Sequence, residues 1–178
     1  MSFFDKITAA LTPPESEEDR REARQKVRSL STGSDWLGAA ISHHEQIEEA
    51  FGAARSAGTP EEARTAIRTL ADVLIPHSVA EELVLYPTLV MEGHKVDAAA
   101  AYQEQQMAKV QMAELEKLTP LSQDWIDKLE HIRGAVLHHI YSEESEWFPK
   151  IVEETAPGEL AVLNTRFAEE FGRFKKGI

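Results

Sequence analysis

Apolar side chains recur every three or four positions along four long stretches of the chain, which is the spacing of one face of an α-helix. Helix signals bound these stretches, with Ser34, Thr59 and Ser122 as N-terminal caps and Gly58 as a C-terminal stop. No stretch alternates apolar and polar residues in the way that a half-buried strand does. The pattern predicts an all-α protein, built as an up-down-up-down four-helix bundle with extra N-terminal and C-terminal helices.

The same signals divide the chain into three parts. Residues 1–33 are expected to form an N-terminal helical arm, residues 34–156 the four-helix bundle, and residues 157–178 a C-terminal helix packed on the bundle. The arm begins with a short apolar stripe that could dock on the bundle, lie on a membrane surface or bind a protein partner. The stripe consists of Phe3, Phe4, Ile7 and Leu11.

The inward-facing positions of the second and fourth bundle helices carry polar residues where leucine would be usual. In each helix a histidine precedes a glutamate by four residues, a second glutamate follows at once, and an aromatic-proline pair comes at the same distance beyond. Residues four apart lie one helical turn apart on the same face, so each histidine and its glutamate can coordinate one ion. The two copies are His77-Ser-Val-Ala-Glu81-Glu82 with Tyr86-Pro87, and His139-Ile-Tyr-Ser-Glu143-Glu144 with Phe148-Pro149.

Buried polar side chains need partners, because an unpartnered buried polar group costs about 1–3 kcal/mol. A metal ion would satisfy these histidines and glutamates, and so would a buried network of hydrogen bonds between them. The repetition of the whole motif favours the metal site, since a hydrogen-bond network does not require it. Cysteine is absent from the chain, so the ligands would be imidazole and carboxylate groups.

Two further inward-facing positions complete the candidate site. His44 lies on the inward face of the first bundle helix. The spacing between the two motif copies, applied to His44, predicts a counterpart near position 105 or 106 on the third helix. Gln105 stands there.

In this order the candidate ligands resemble those of the hemerythrin family, in its hemerythrin-like, HHE cation-binding form, over about residues 34–156. The resemblance implies two iron ions that are bridged by glutamates and capped by histidines. It also implies a protein that binds, senses or processes O2, NO or peroxide. The implied bridging residues are Glu81 and Glu143, and the implied capping residues are His44, His77 and His139.

The sequence departs from the family pattern at Gln105, where the third helix is expected to supply a histidine. Gln105 itself could ligate a metal, and Glu104 beside it or Glu48 in the first helix could replace it. The site would then hold two irons, a single ion, another divalent metal such as zinc or manganese, or none. His43 and His138 neighbour the chosen ligands but point away from the inward face, so they are expected beside the site or at the surface, and entry of either into the ligand set is left open.

Other residues of the motifs receive secondary roles. Glu82 and Glu144 are expected to be exposed or to orient the ligands. Tyr86 could donate a hydrogen bond into the site, although tyrosine at helical spacing is more often buried for its ring. Pro76 inside the second bundle helix is expected to kink that helix just before His77.

Charge and hydropathy limit the range of partners. The net charge of −12 is spread along the chain, which argues against a nucleic-acid-binding protein, because phosphate contacts need clustered Lys and Arg. No uninterrupted apolar run approaches the roughly 18 to 20 residues of a membrane span. The first residues lack the apolar centre of a secretory signal, so a cytoplasmic location is expected.

Two other functions are compatible with the sequence. In the first, the bundle senses iron or oxygen and the N-terminal arm signals its state to a protein partner, as in a regulatory interaction protein. In the second, the bundle is degenerate and has a mononuclear or absent metal site because of Gln105. The ligands alone do not imply a catalytic cycle.

Overall fold

The computed structural model of this protein describes residues 15–175, which leaves the predicted N-terminal apolar stripe outside the described residues. Within that range every regular element is a helix and none is a strand, as the hydrophobic pattern predicted. Two short π-helical segments follow α3 and α6, and they are called here the first π turn (Glu81–Leu85) and the second π turn (Glu143–Trp147). The α-helices are α1 (Glu17–Arg28), α2 (Trp36–Ser56), α3 (Pro60–Ala80), α4 (Tyr86–Met91), α5 (Lys95–Leu115), α6 (Gln123–Ser142), α7 (Phe148–Glu154) and α8 (Pro157–Lys175).

The N-terminal caps of the long helices explain where these helices begin. Thr59 caps α3 and Ser122 caps α6, as predicted, each by accepting a hydrogen bond from a backbone N–H of the first turn. The cap of α2 is Asp35 rather than the predicted Ser34. The Asp35 carboxylate accepts hydrogen bonds from the Gly38 backbone N–H at 2.8 Å and from the Ser31 hydroxyl at 2.6 Å, which a single serine hydroxyl could not replace.

Each π turn begins at the first glutamate of a motif copy and ends shortly before the motif's proline. Pro87 and Pro149 lack a backbone N–H, and a proline ring clashes with the carbonyl four residues earlier in a regular α-helix, so a wider turn is favoured there. In the first π turn the carbonyl concerned belongs to Leu83, which accepts a hydrogen bond from Arg166 at 3.3 Å. α3 continues as an α-helix through Pro76 and His77. It changes to the first π turn at Glu81, so the departure from α-helical geometry comes after His77 and not before it as predicted.

The buried apolar side chains form two clusters, named here the Phe148 cluster and the Phe51 cluster. α2 and α5 run from the Phe148 cluster into the Phe51 cluster, and α3 runs in the opposite order. α6 lies in the Phe51 cluster, and the second π turn and α7 that follow it lie in the Phe148 cluster. A layer of buried polar side chains lies between the two clusters on all four helices, and its members include His44, His77, Gln105 and His139. The Phe148 cluster includes Leu37, Ile41, Leu85, Leu89, Phe148, Ile151 and Phe167, and the Phe51 cluster includes Ile47, Phe51, Ile67, Leu70, Leu115, Leu129 and Ile132.

The remaining helices pack close to this polar layer. α8 contacts α3, α2 and the first π turn, and α1 contacts the second π turn, α2 and α6. By length and composition alone, the 32-residue stretch Pro60–Met91 could cross a membrane. A core helix meets the same criterion, and 61% of its most apolar window is buried inside the protein.

Candidate metal centre

Four buried side chains bring donor atoms to one point between the two apolar clusters. One atom each from His44, His77, Glu81 and Glu143 lies within 4.8 Å of the others. His44 Nε2 is 3.2 Å from Glu143 Oε2, and His77 Nε2 is 3.1 Å from Glu81 Oε1. These four atoms are called here the His44 group.

Three atoms of the His44 group have no hydrogen-bond partner although they are fully buried. They are His44 Nε2, Glu81 Oε1 and Glu143 Oε2. Unpartnered buried polar atoms are costly, and a cation among them would satisfy all three at once. The donor set, imidazole nitrogen with carboxylate oxygen, therefore fits a divalent or trivalent metal ion.

The other oxygen of each glutamate faces a second set of donors. Tyr86 Oη lies 3.3 Å from Glu81 Oε2, 2.9 Å from Glu143 Oε1 and 3.0 Å from His139 Nε2. The Gln105 amide nitrogen lies 2.6 Å from Glu81 Oε2 and 2.5 Å from Tyr86 Oη. These five donors, from Glu81, Tyr86, Gln105, His139 and Glu143, are called here the His139 group.

The π turn explains how Tyr86 reaches this position. In an α-helix, residues five apart point about 140° away from each other, whereas in a π turn the hydrogen bond joins residue i to i+5 and brings the two onto one face. Tyr86 follows Glu81 by five residues, and its backbone N–H bonds to the Glu81 carbonyl. Its ring is fully buried, and its hydroxyl faces the glutamate that starts the turn.

Three glutamates lie outside the two donor groups and contact either a candidate ligand or Arg24. Glu144 is buried and lies 2.8 Å from His44 Nδ1, and Arg24 of α1 donates to the same carboxylate at 2.9 Å. Glu104 lies 2.8 Å from His139 Nδ1. Glu48 accepts from Arg24 at 2.5 Å. Glu48 and Glu104 thus lie around the two donor groups and not within them. Glu144 contacts the candidate ligand His44, a position that suits the orienting role expected for it.

The two additional histidines also lie outside the donor groups. His43 is buried against α8, where its ring stacks on Phe171 with centroids 3.8 Å apart. Burial and the nearby charge of His44 lower the pKa of His43 to about 4. His138 is exposed and pairs with Glu15.

Burial and mutual charge set the protonation of the centre. Burial, together with the charge of Glu143, raises the pKa of Glu81 to about 7. Burial opposes the charged form of His139, but Glu143 and Glu104 raise its pKa to about 10. Burial and the charge of His44 lower the pKa of His77 well below the usual value, which leaves a neutral imidazole, the form that binds metals.

Replacing Glu144 with glutamine is expected to lower metal affinity about 10- to 100-fold, the usual effect of losing a group that orients a ligand. The neutral amide holds His44 Nδ1 less firmly and leaves Arg24 with a weaker partner. Competition against a metal chelator measures the loss.

Glu82→Gln is the matched control, because Glu82 occupies the same place in the other motif copy but pairs with Lys109 at 2.6 Å instead of with a histidine. A similar loss of affinity in both variants would contradict the role assigned to Glu144.

Buried histidines and glutamates at the centre of an all-helical protein define the class of a helical metal-binding domain. Residues 39–151, more than half of the chain, match the family model described as the hemerythrin HHE cation binding domain. The chain belongs to this family, as the resemblance in its motifs indicated. Comparison with curated proteins and with solved structures gave no significant match.

Proposed function

We propose that this protein binds iron at the buried centre and uses it to bind, sense or process a small ligand such as O2, NO or peroxide. The convergence of three unpartnered buried atoms in the His44 group is the observation that carries the proposal. Nitrogen and oxygen donors suit iron, although the same set accepts zinc or manganese. Bound iron would supply a redox-active Lewis acid with a position for a small ligand.

Two donor groups that share both glutamates support a site for two metal ions. In this arrangement Glu81 and Glu143 would each offer one oxygen to each group. His44 and His77 would complete one group, and His139 and Gln105 belong to the other. Glu144 and Glu104 would fix the two imidazole rings through their outer nitrogens.

The space beside the centre supports a ligand of only a few atoms. A cavity of about 20 Å³ lies next to His77, Gln105 and His139. This is about the room that one water molecule needs. Its other walls are mainly apolar, which keeps bulk water away from the donors, and they include Ile47, Leu74, Ala108, Val136 and Ile140.

We also infer that α2, α3, α5 and α6 form an up-down-up-down bundle around this centre. Successive long helices meet the Phe148 and Phe51 clusters in opposite order, which supports alternating directions. α2 packs on α3 and α6, and α5 packs on α6. Such a bundle carries its ligands on facing helices.

Metal analysis after anaerobic reconstitution with ferrous iron tests the proposal. The protein is expected to retain iron after desalting, and its visible spectrum is expected to change on exposure to air, NO or peroxide. Iron-free protein after reconstitution would overturn the proposal. Iron binding with no spectral response to any of the three would restrict the function to iron binding.

A second candidate function is favoured by the link between α1 and the centre. Arg24 of α1 is bound to Glu144, which in turn is bound to His44, so the position of α1 is tied to a ligand. In a regulatory protein, metal loss would loosen α1 and expose a binding surface to a partner. Limited trypsin digestion with and without iron tests this, since equal cleavage rates within residues 17–28 would exclude it.

A further inference from the structure

We propose that Tyr86 is a direct ligand of a metal ion in the His139 group, where it takes the place of the histidine that α5 lacks. The inference rests on the proposed function, because it concerns the same centre. It adds a phenol oxygen to the nitrogen and carboxylate donors, and it predicts how the second ion is held despite Gln105.

The distances between the donors carry the inference. Tyr86 Oη lies between 2.5 and 3.3 Å from each of the other four donors of the His139 group. The other four donors also lie close to one another. Gln105 Nε2 is 2.6 Å from Glu81 Oε2 and 3.5 Å from His139 Nε2, and His139 Nε2 is 3.4 Å from Glu143 Oε1. Neighbouring donors that each lie about 2.1 Å from one ion stand about 3 Å apart. The distances from Tyr86 Oη to the other four donors are therefore those expected of donors that share one ion.

Hydrogen bonding alone does not account for this convergence. A phenol has a single proton, so Tyr86 can donate to only one of Glu81, Glu143 and His139 at a time. His139 and the Gln105 amide can each donate to Tyr86 Oη, at 3.0 and 2.5 Å, which leaves Tyr86 with one proton for two carboxylates, Glu143 at 2.9 Å and Glu81 at 3.3 Å. A cation shared by all of these atoms satisfies them together.

The two motif copies differ at the residue that the inference requires. Phe148 occupies the position in the second copy that Tyr86 occupies in the first, five residues after the glutamate. Phe148 stacks on His44, with ring centroids 5.7 Å apart. The His44 group, which has two histidines, therefore lies beside an aromatic ring without a hydroxyl. The His139 group, which has Gln105 in place of a second histidine, lies beside the Tyr86 hydroxyl. The hydroxyl is present on the side where a ligand is missing.

Gln105 can also act as a ligand in place of the missing histidine, although a weaker one than Tyr86. Its amide oxygen is buried and has no hydrogen-bond partner, whereas its amide nitrogen faces the donors. A half-turn of the amide exchanges the two atoms and would present the oxygen to a cation. Tyr86 would contribute the stronger bond, because its oxygen becomes anionic when a metal–oxygen bond replaces the O–H bond and the proton is released to solvent.

The test compares wild-type protein with Tyr86→Phe after anaerobic reconstitution with excess ferrous iron, desalting and oxidation in air. Wild-type protein is expected to hold about two irons per chain and Tyr86→Phe about one, because the His44 group is intact in both. The wild-type protein is also expected to show a visible phenolate-to-iron charge-transfer band and tyrosinate modes in its resonance Raman spectrum. Both signals should be lost in Tyr86→Phe.

Two further variants separate ligation from folding. Tyr102→Phe is the matched control, because Tyr102 packs against the Tyr86 ring but its hydroxyl donates to the backbone carbonyl of Glu82. It should keep both irons and the charge-transfer band. The double variant Tyr86→Phe with Gln105→His should regain the second iron without regaining the band.

Each outcome decides between the proposals. One iron in the wild-type protein, or two irons without tyrosinate signals, would overturn the assignment of Tyr86 and leave the iron-binding function standing. No iron in the wild-type protein would overturn the proposed function itself. Circular dichroism and thermal melting of each variant without metal establish whether a lost iron reflects a lost ligand or a lost fold.

Discussion

Replacing Glu143 with alanine is expected to abolish metal binding at both donor groups. Glu143 offers Oε2 to the His44 group and Oε1 to the His139 group, and the whole side chain is buried. Its removal takes one negative charge and one oxygen donor from each group. Affinity is expected to fall by more than the roughly 10- to 100-fold typical of groups that only orient a ligand. Metal analysis of the desalted protein and chelator competition measure the loss.

Glu146→Ala is the matched control for this substitution. Glu146 lies in the same π turn, but it is exposed and pairs with Lys150 at 2.7 Å. Exposed pairs of this kind contribute about 0–1 kcal/mol, so Glu146→Ala should bind metal normally and keep its stability. Retention of all metal by Glu143→Ala would contradict the bridging role proposed for Glu143.

Removing the metal is expected to lower the melting temperature by about 10 °C. A ligand that binds only the folded state adds about 4 kcal/mol of stability when its free concentration is a thousand times its Kd, and about 1 kcal/mol shifts Tm by roughly 2–4 °C in a chain of this size. Without a cation the centre holds two buried glutamates close together, which is why the pKa of Glu81 is raised to about 7. A cation at this point would therefore stabilise both carboxylates.

Scanning calorimetry before and after chelation, followed by re-addition of ferrous iron without oxygen, measures this shift. The Glu143→Ala variant supplies the control, since its melting temperature should not respond to iron. If chelation leaves the wild-type Tm unchanged while removing the metal, the buried charges must be balanced by protons alone.

The helical class and the main donors were predictable because they follow directly from spacing. A period of three to four residues predicts a helix, and a histidine four residues before a glutamate places both on one face. His44, His77, Glu81 and Glu143 accordingly meet in the structure. The prediction of Gln105 near this point also agrees with its position beside Glu81.

The two π turns were not predicted, because the hydrophobic pattern implies a uniform α-helical period along each helix. A π turn shifts every following side chain around the helix, and this shift brings Tyr86 onto the face of Glu81, where its hydroxyl contacts the site. The aromatic-proline pair that closes each motif copy was the available signal. A proline within a helix displaces the bonding pattern just before it, and both copies place one soon after the glutamate.

The contact between Glu144 and Arg24 could not be predicted from the sequence, for a different reason. They join residues far apart in the chain, and no local period predicts which charged side chains will meet. Glu82 and Glu144 are equivalent in the motif, yet Glu82 pairs with Lys109, whereas Glu144 pairs with the candidate ligand His44 and with the half-buried Arg24. Only the packing of α1 on the second π turn distinguishes them.

The separation of the interior into the Phe148 and Phe51 clusters has a consequence for cooperativity. α2, α3 and α5 each have side chains in both apolar clusters, and a layer of charged and hydrogen-bonded side chains separates the two clusters. An ion held by ligands from several helices would act as a cross-link at the midpoint of the fold. Metal content would then determine whether the two clusters unfold together or one after the other.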